Sequence, residues 1–161
     1  MQTIRNVPFD EIEIGQTADY RKIVRDEDVL MFAKLSGDVN PVHLDEEYAK
    51  TTQFGGRIAH GMYTAALMSA AMATTLPGPG SVYLSQTMKF RAPVRIGDEL
   101  TVHLEVTNKR DRNKSVTVMV RVTNQDGAKV VTGEASAIVP SEHIVIDAPD
   151  LPLVTIGDHQ F

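Results

Sequence analysis

A carboxylate and an imidazole stand five positions apart in the segment Leu35-Ser36-Gly37-Asp38-Val39-Asn40-Pro41-Val42-His43. A carboxylate and a neutral imidazole around one water are groups that move a proton near neutral pH. The segment cannot stay helical, because Pro41 has no amide hydrogen and pushes Asn40 out of the helical region. A helix arriving through Phe32 and Leu35 therefore ends near Gly37, and Asp38 and His43 are free to turn toward one pocket. The spacing alone fits a second reading equally: Asp38 and Asn40 make turn hydrogen bonds, and His43 is an interior histidine.

A second cluster follows at Ala59-His60-Gly61-Met62, directly before an apolar run. The first amides of a helix have no intrahelical acceptor and point at whatever lies beyond its N-terminus, so the Gly61 amide can meet an oxyanion. Gly61 can equally be a glycine that starts a crowded helix, and His60 reads as structural. Ser69 lies about two turns beyond Gly61 on the same face. A serine bonded to its own helix carbonyl is its alternative. No Gly-x-Gly-x-x-Gly, Walker or Gly-x-Ser-x-Gly motif is present, and the histidines form no His-x-x-x-His pair, so no nucleotide, covalent serine or metal chemistry is indicated.

These groups need elements to hold them. Thr17 to Val24 alternates as a strand after a turn at Ile14-Gly15-Gln16, and Asp26 is placed to cap a helix with Val29, Phe32, Ala33 and Leu35 on its inner face. Leu44 to Tyr48 reads as a short helical piece. Gly61 to Leu76 carries methionine, leucine and alanine around the whole helical wheel with no charge, the mark of a helix buried on nearly all sides. At about 24 Å it is short of a membrane span, so it is expected in a core. After Pro77-Gly78-Pro79-Gly80 the period changes from 3.6 to 2. Val82, Leu84, Met88 and Phe90 share one face, as do Leu100 to Val106 and Val116 to Val122. Asp126-Gly127 turns the chain back through Val131, Gly133, Ala135, Ala137 and Val139, small residues that leave room for the alanine-rich helix. The result is an α+β domain, an antiparallel sheet around one central helix.

Ser36-Gly37-Asp38-Val39-Asn40-Pro41-Val42-His43 and Ala59-His60-Gly61-Met62 together resemble the signature of the MaoC-like (R)-specific enoyl-CoA hydratases, which have the hot-dog fold. The likeness runs from about Phe9 to Val139 and leaves Leu151 to Phe161 outside it. It implies reversible hydration of a trans-2-enoyl-CoA to an (R)-3-hydroxyacyl-CoA. Asp38 and His43 would jointly activate water, Gly61 would supply an oxyanion contact, and Asn40 and Ser69 would line or orient the site. Two rival functions keep the same pocket: a thioesterase, whose water attacks the carbonyl carbon, and a non-catalytic acyl-thioester-binding domain. The resemblance also implies a homodimer or larger homo-oligomer, as does the pairing edge that such a sheet exposes. Arg57, Lys89, Arg91 and Arg95 are candidates for coenzyme A phosphates, with an ordinary solvated role as the alternative for each. Pro77 to Gly80 can bound a short acyl tunnel.

Size and charge agree with this. The 161 residues suit a single domain spanning 1–161, and a net charge of -5 with scattered lysines and arginines speaks against nucleic acid. With no cysteine there is neither thiolate chemistry nor a disulfide. The N-terminus has no apolar run, so the expected location is the cytoplasm, away from membranes, with no cofactor beyond the coenzyme A of the substrate.

Overall fold

A computed structural model describes residues 3–156 and 159–160. In chain order, β1 is Thr3–Arg5, β2 Thr17–Ile23, α1 Asp26–Ser36, α2 Pro41–Leu44, α3 Glu46–Lys50 and α4 Gly61–Thr74. The strands β3 Val82–Phe90, β4 Glu99–Arg110, β5 Ser115–Thr123, β6 Lys129–Ile138 and β7 Val145–Asp147 complete the framework. The period-two segments form one five-stranded antiparallel sheet in the order β2-β4-β5-β6-β3. Alternation decides which side faces inward. Leu100, Val102, Leu104 and Val106 of β4 and Val116, Val118, Val120 and Val122 of β5 are buried against α4. Burying each such side chain contributes about 1.5–3 kcal/mol.

The α4 helix presents Tyr63, Leu67, Met68, Ala71 and Met72 to that sheet. Its uniform apolar character suggested burial on nearly every side, yet Met62, Ala66, Ser69 and Ala73 form an exposed stripe. The sheet covers one side of the helix only, and hydrophobicity does not record which sides have a partner within the same chain. Leu35, expected on the inner face of α1, is 85% exposed for the same reason, while Val29 and Ala33 are buried.

Local chemistry explains the remaining differences. The first turn of α1 is closed by Asp28, whose Oδ2 accepts from the Arg25 amide at 2.9 Å, rather than by Asp26. The short helical piece after Pro41 is two helices, split where Asp45 takes an extended conformation and accepts from the Tyr48 amide at 3.0 Å. β3 is an edge strand with a register shift between Tyr83 and Ser85, so Val82, Leu84 and Phe90 stay largely exposed. Ala135 and Ala137 face the core, whereas Gly133 answers a different demand: a Cβ there would lie 2.0 Å from the Thr87 carbonyl oxygen on the neighbouring strand. Pro77 to Gly80 lies against the chain ends. A Cβ on Gly78 would meet the Arg5 carbonyl oxygen at 2.6 Å, and one on Gly80 would meet Ile144. The segment therefore braces β1 and β7, which pair with each other, and stands apart from the residues that line the cavity beside Gly61.

Candidate active site

The arrest of α1 proceeds as Pro41 and Gly37 require. Gly37 takes a left-handed conformation at φ 77°, and its amide donates to the Ala33 carbonyl at 2.9 Å. The chain then tightens through side-chain bonds. Ser36 Oγ accepts from the Asp38 amide, Asp38 Oδ1 from the Asn40 amide and Asn40 Oδ1 from the Val42 amide, each at 3.2 Å. One Asp38 oxygen is thus used in the turn, and the other, Oδ2, lies 3.9 Å from His43 Nε2.

His43 sits on α2 and is 8% exposed. Its Nδ1 is 2.9 Å from the Ile58 carbonyl oxygen, which can only accept, so Nδ1 carries a hydrogen and Nε2 is the ring atom turned toward Asp38. Asn40 caps α2 and makes its side-chain contact to Val42 rather than to the imidazole. Removing the cap in Asn40→Ala is expected to cost about 1 kcal/mol of stability, with a smaller fall in kcat than His43→Ala. Thermal melts and steady-state kinetics on the two variants check this ranking.

His60 stands closer to the candidate pair than its neighbour Gly61 alone suggested. Read as structural, it stands inside the cluster, 2% exposed, with its ring stacked on His43 at 3.8 Å between centroids and 28° between planes. Its Nε2 lies 3.0 Å from the Asp38 carbonyl oxygen, and its buried Nδ1 has no partner among the described residues. Burial lowers its pKa below the ordinary histidine value, partly offset by the bond to the Asp38 backbone. The sequence signal that could have found it is its place immediately before Gly61. Donor atoms of Asp38, His43 and His60 come within 4.8 Å of one another, as a metal site would need. Imidazole lone pairs lie in the ring plane, however, and two stacked rings do not aim at one point about 2 Å from both.

Gly61 begins α4 beside a cavity of about 320 Å³ lined by His60, Thr64, Phe90, Arg91 and Val131 among others. A Cβ at Gly61 would stand 3.0 Å from the Phe90 ring. Ser69 is not gathered here: it lies on the exposed stripe of α4 and lines a separate open cavity with Phe32, Met62, Tyr83 and Met88. Among the four basic candidates, Arg57 is engaged in the framework, donating from Nε to the His43 carbonyl at 2.7 Å and pairing with Asp26 at 2.8 Å. Arg95 donates to the Phe54 carbonyl. Arg91 reaches the cavity, and Lys89 is exposed on β3. A larger cavity of about 510 Å³, between Lys22, Met31 and the 151–154 segment, holds none of the candidate groups.

Residues 10–128 match the profile of the family described as MaoC like domain. An (R)-specific enoyl-CoA hydratase of Rhodospirillum rubrum is 46% identical over 133 residues, covering 83% of this chain and 92% of its own. A 3-hydroxybutyryl-CoA dehydratase of Methylorubrum extorquens is 45% identical over 139 residues, covering 86% of this chain and 88% of its own. The solved structure of the R-hydratase PhaJ1 from Pseudomonas aeruginosa, unliganded, superposes with a TM-score of 0.93 at 49% identity, covering 97% of this chain and all of that one.

Proposed function

The chain belongs to the MaoC-like domain family, and from that premise we propose that it is an (R)-specific enoyl-CoA hydratase, adding water reversibly to a trans-2-enoyl-CoA. Support from the geometry comes chiefly from the 3.9 Å between Asp38 Oδ2 and Nε2 of His43. That separation is long for a direct hydrogen bond and suits one water held by both at about 2.8 Å. The pair takes one proton from the water as its oxygen bonds to C3, and returns a proton to C2 on the same face. Charge that builds on the thioester oxygen meets the Gly61 amide at the head of α4. Hydration changes no net oxidation state, so the reaction calls for no redox cofactor, and coenzyme A enters only as part of the substrate. Lys89, exposed on β3, and Arg91, whose guanidinium donates only from Nε to Thr132 Oγ1 at 3.2 Å among the described residues, suit the coenzyme A phosphates better than Arg57 and Arg95.

A single copy leaves this site open, with the Asp38 side chain 51% exposed. Val39, Leu35, the stripe of α4 and the edge strand β3 also present exposed apolar surface. A second copy paired along β3 would remove that surface and the free edge together, so the working species is a homodimer or larger. Among the described residues no helix is long and apolar enough to cross a membrane, and the cytoplasm is the proposed compartment.

Incubated with crotonyl-CoA and no added cofactor, the purified protein is expected to remove the enoyl absorbance and yield the (R)-3-hydroxy product. An (S) product defeats the assignment, free coenzyme A without hydration marks a thioesterase, and binding without turnover marks an acyl-binding domain. Light scattering on the active sample is expected to show at least a dimer; a fully active monomer at micromolar concentration would overturn that part.

A further inference from the structure

Four consecutive residues, Ile58 to Gly61, touch every part of the proposed chemistry. The Ile58 amide donates to Val42 on α2 at 3.3 Å, and its carbonyl accepts from His43 Nδ1 at 2.9 Å. The Ala59 amide donates to the Val94 carbonyl at 2.8 Å, fixing the segment to the chain beyond β3. His60 reaches the Asp38 backbone 22 positions away and lies against the His43 ring. Phe32 of α1 packs a tilted ring on His60 at 5.0 Å. Gly61 then opens α4.

We propose that His60 is the positioning residue of the proton-transfer pair, tying the backbone of Asp38 and the ring of His43 to the N-terminus of α4 so that carboxylate, imidazole and the Gly61 amide keep one geometry. The proposal rests on the hydratase reading above. An apolar residue would fill the same space but could not tether Asp38, and an amide could tether Asp38 but could not support the His43 ring. Histidine does both. The Asp38 carbonyl can only accept, so His60 carries its hydrogen on Nε2 and its buried, unpartnered Nδ1 stays bare. A cation there would bury an unpaired N–H and set a like charge against His43 whenever that ring took up a proton; burial keeps His60 neutral. Among the described residues the other hydrogen bonds of Asp38 lie within its own exposed turn, so this long-range contact sets where its carboxylate stands relative to His43.

Two substitutions separate the two contacts. His60→Phe keeps an aromatic ring under His43 and loses the tether; His60→Gln keeps a donor for Asp38 and loses the ring. Each is expected to lower kcat for crotonyl-CoA by about 10- to 100-fold, the scale of a misplacement near 1 Å, with KM within about threefold of the parent. His60→Ala, which loses both contacts, falls furthest, and the conservative pair rescues part of its loss. A folded His60→Phe or His60→Gln with kcat within twofold of the parent, or losses carried equally by KM, would overturn the proposal. Nitrogen-15 spectra of the unmodified protein test it even where a variant does not fold: they are expected to show His60 neutral with hydrogen on Nε2, and His43 with hydrogen on Nδ1. A charged His60 at neutral pH, or one protonated on Nδ1, would also overturn it. Failure of the hydratase reading shows instead as an unmodified protein that leaves every enoyl thioester intact while its histidines carry the assigned tautomers.

Discussion

Asp38→Asn and His43→Ala are each expected to lower kcat for hydration by about 10²- to 10⁴-fold, the range for losing a general acid or base, with KM changed far less. The two differ in what they cost the fold. Asp38 is half exposed, and an asparagine carbonyl can still accept from the Asn40 amide, so its melting temperature is expected to stay near the parent value. His43 is buried, and its removal leaves the Ile58 carbonyl without its donor, a loss of about 1–3 kcal/mol and several degrees in Tm. Steady-state kinetics with circular dichroism melts read both quantities. Asp38→Asn is thus the cleaner probe of chemistry, since a rate loss without a stability loss excludes simple unfolding. The double variant is expected to lose little more than the worse single one, because two groups that share one water act as a unit. A kcat near the parent for either single variant would reject the pair.

How far these roles were readable in advance depended on whether their causes are local. The end of α1 was legible because Pro41 and Gly37 act on their own neighbours, and the structure stops the helix at that glycine. β4 and β5 were legible because both lie inside the sheet, where period two maps directly onto burial. β3 has the same alternation, but at the sheet edge the rule loses its meaning, and Val82 and Phe90 are more than half exposed. Leu35 and the Met62–Ala73 stripe show the same limit: apolar periodicity marks surface that needs covering without saying whether this chain covers it. His60 escaped for another reason. Its partners come from α1's end and from α2, and no spacing rule connects a residue before one helix with a carbonyl 22 positions earlier. Ser69 lies about two turns beyond Gly61, and helical phase alone could not show that the two line different cavities.

Gly61→Pro is expected to lower kcat by about 10²- to 10³-fold, the scale for losing one oxyanion donor, while leaving α4 folded. The position tolerates proline unusually well. Gly61 is the first helical residue, where the amide has no intrahelical acceptor and proline is favoured. His60 before it lies at φ -62° and ψ 138°, the extended conformation that a residue preceding proline adopts, and it can go on accepting from the Tyr63 amide at 3.1 Å. Added bulk meets the Phe90 ring, which is 52% exposed and can swing aside. Gly61→Ala supplies the control, since it makes the same approach to Phe90 but keeps the N–H. Its kcat is expected to stay within about tenfold of the parent, so the ratio of the two variants isolates the donor from the crowding. If Gly61→Ala and Gly61→Pro lose activity equally, Phe90 and the shape of the cavity account for the glycine, and the negative charge on the thioester oxygen must be stabilised by some other group.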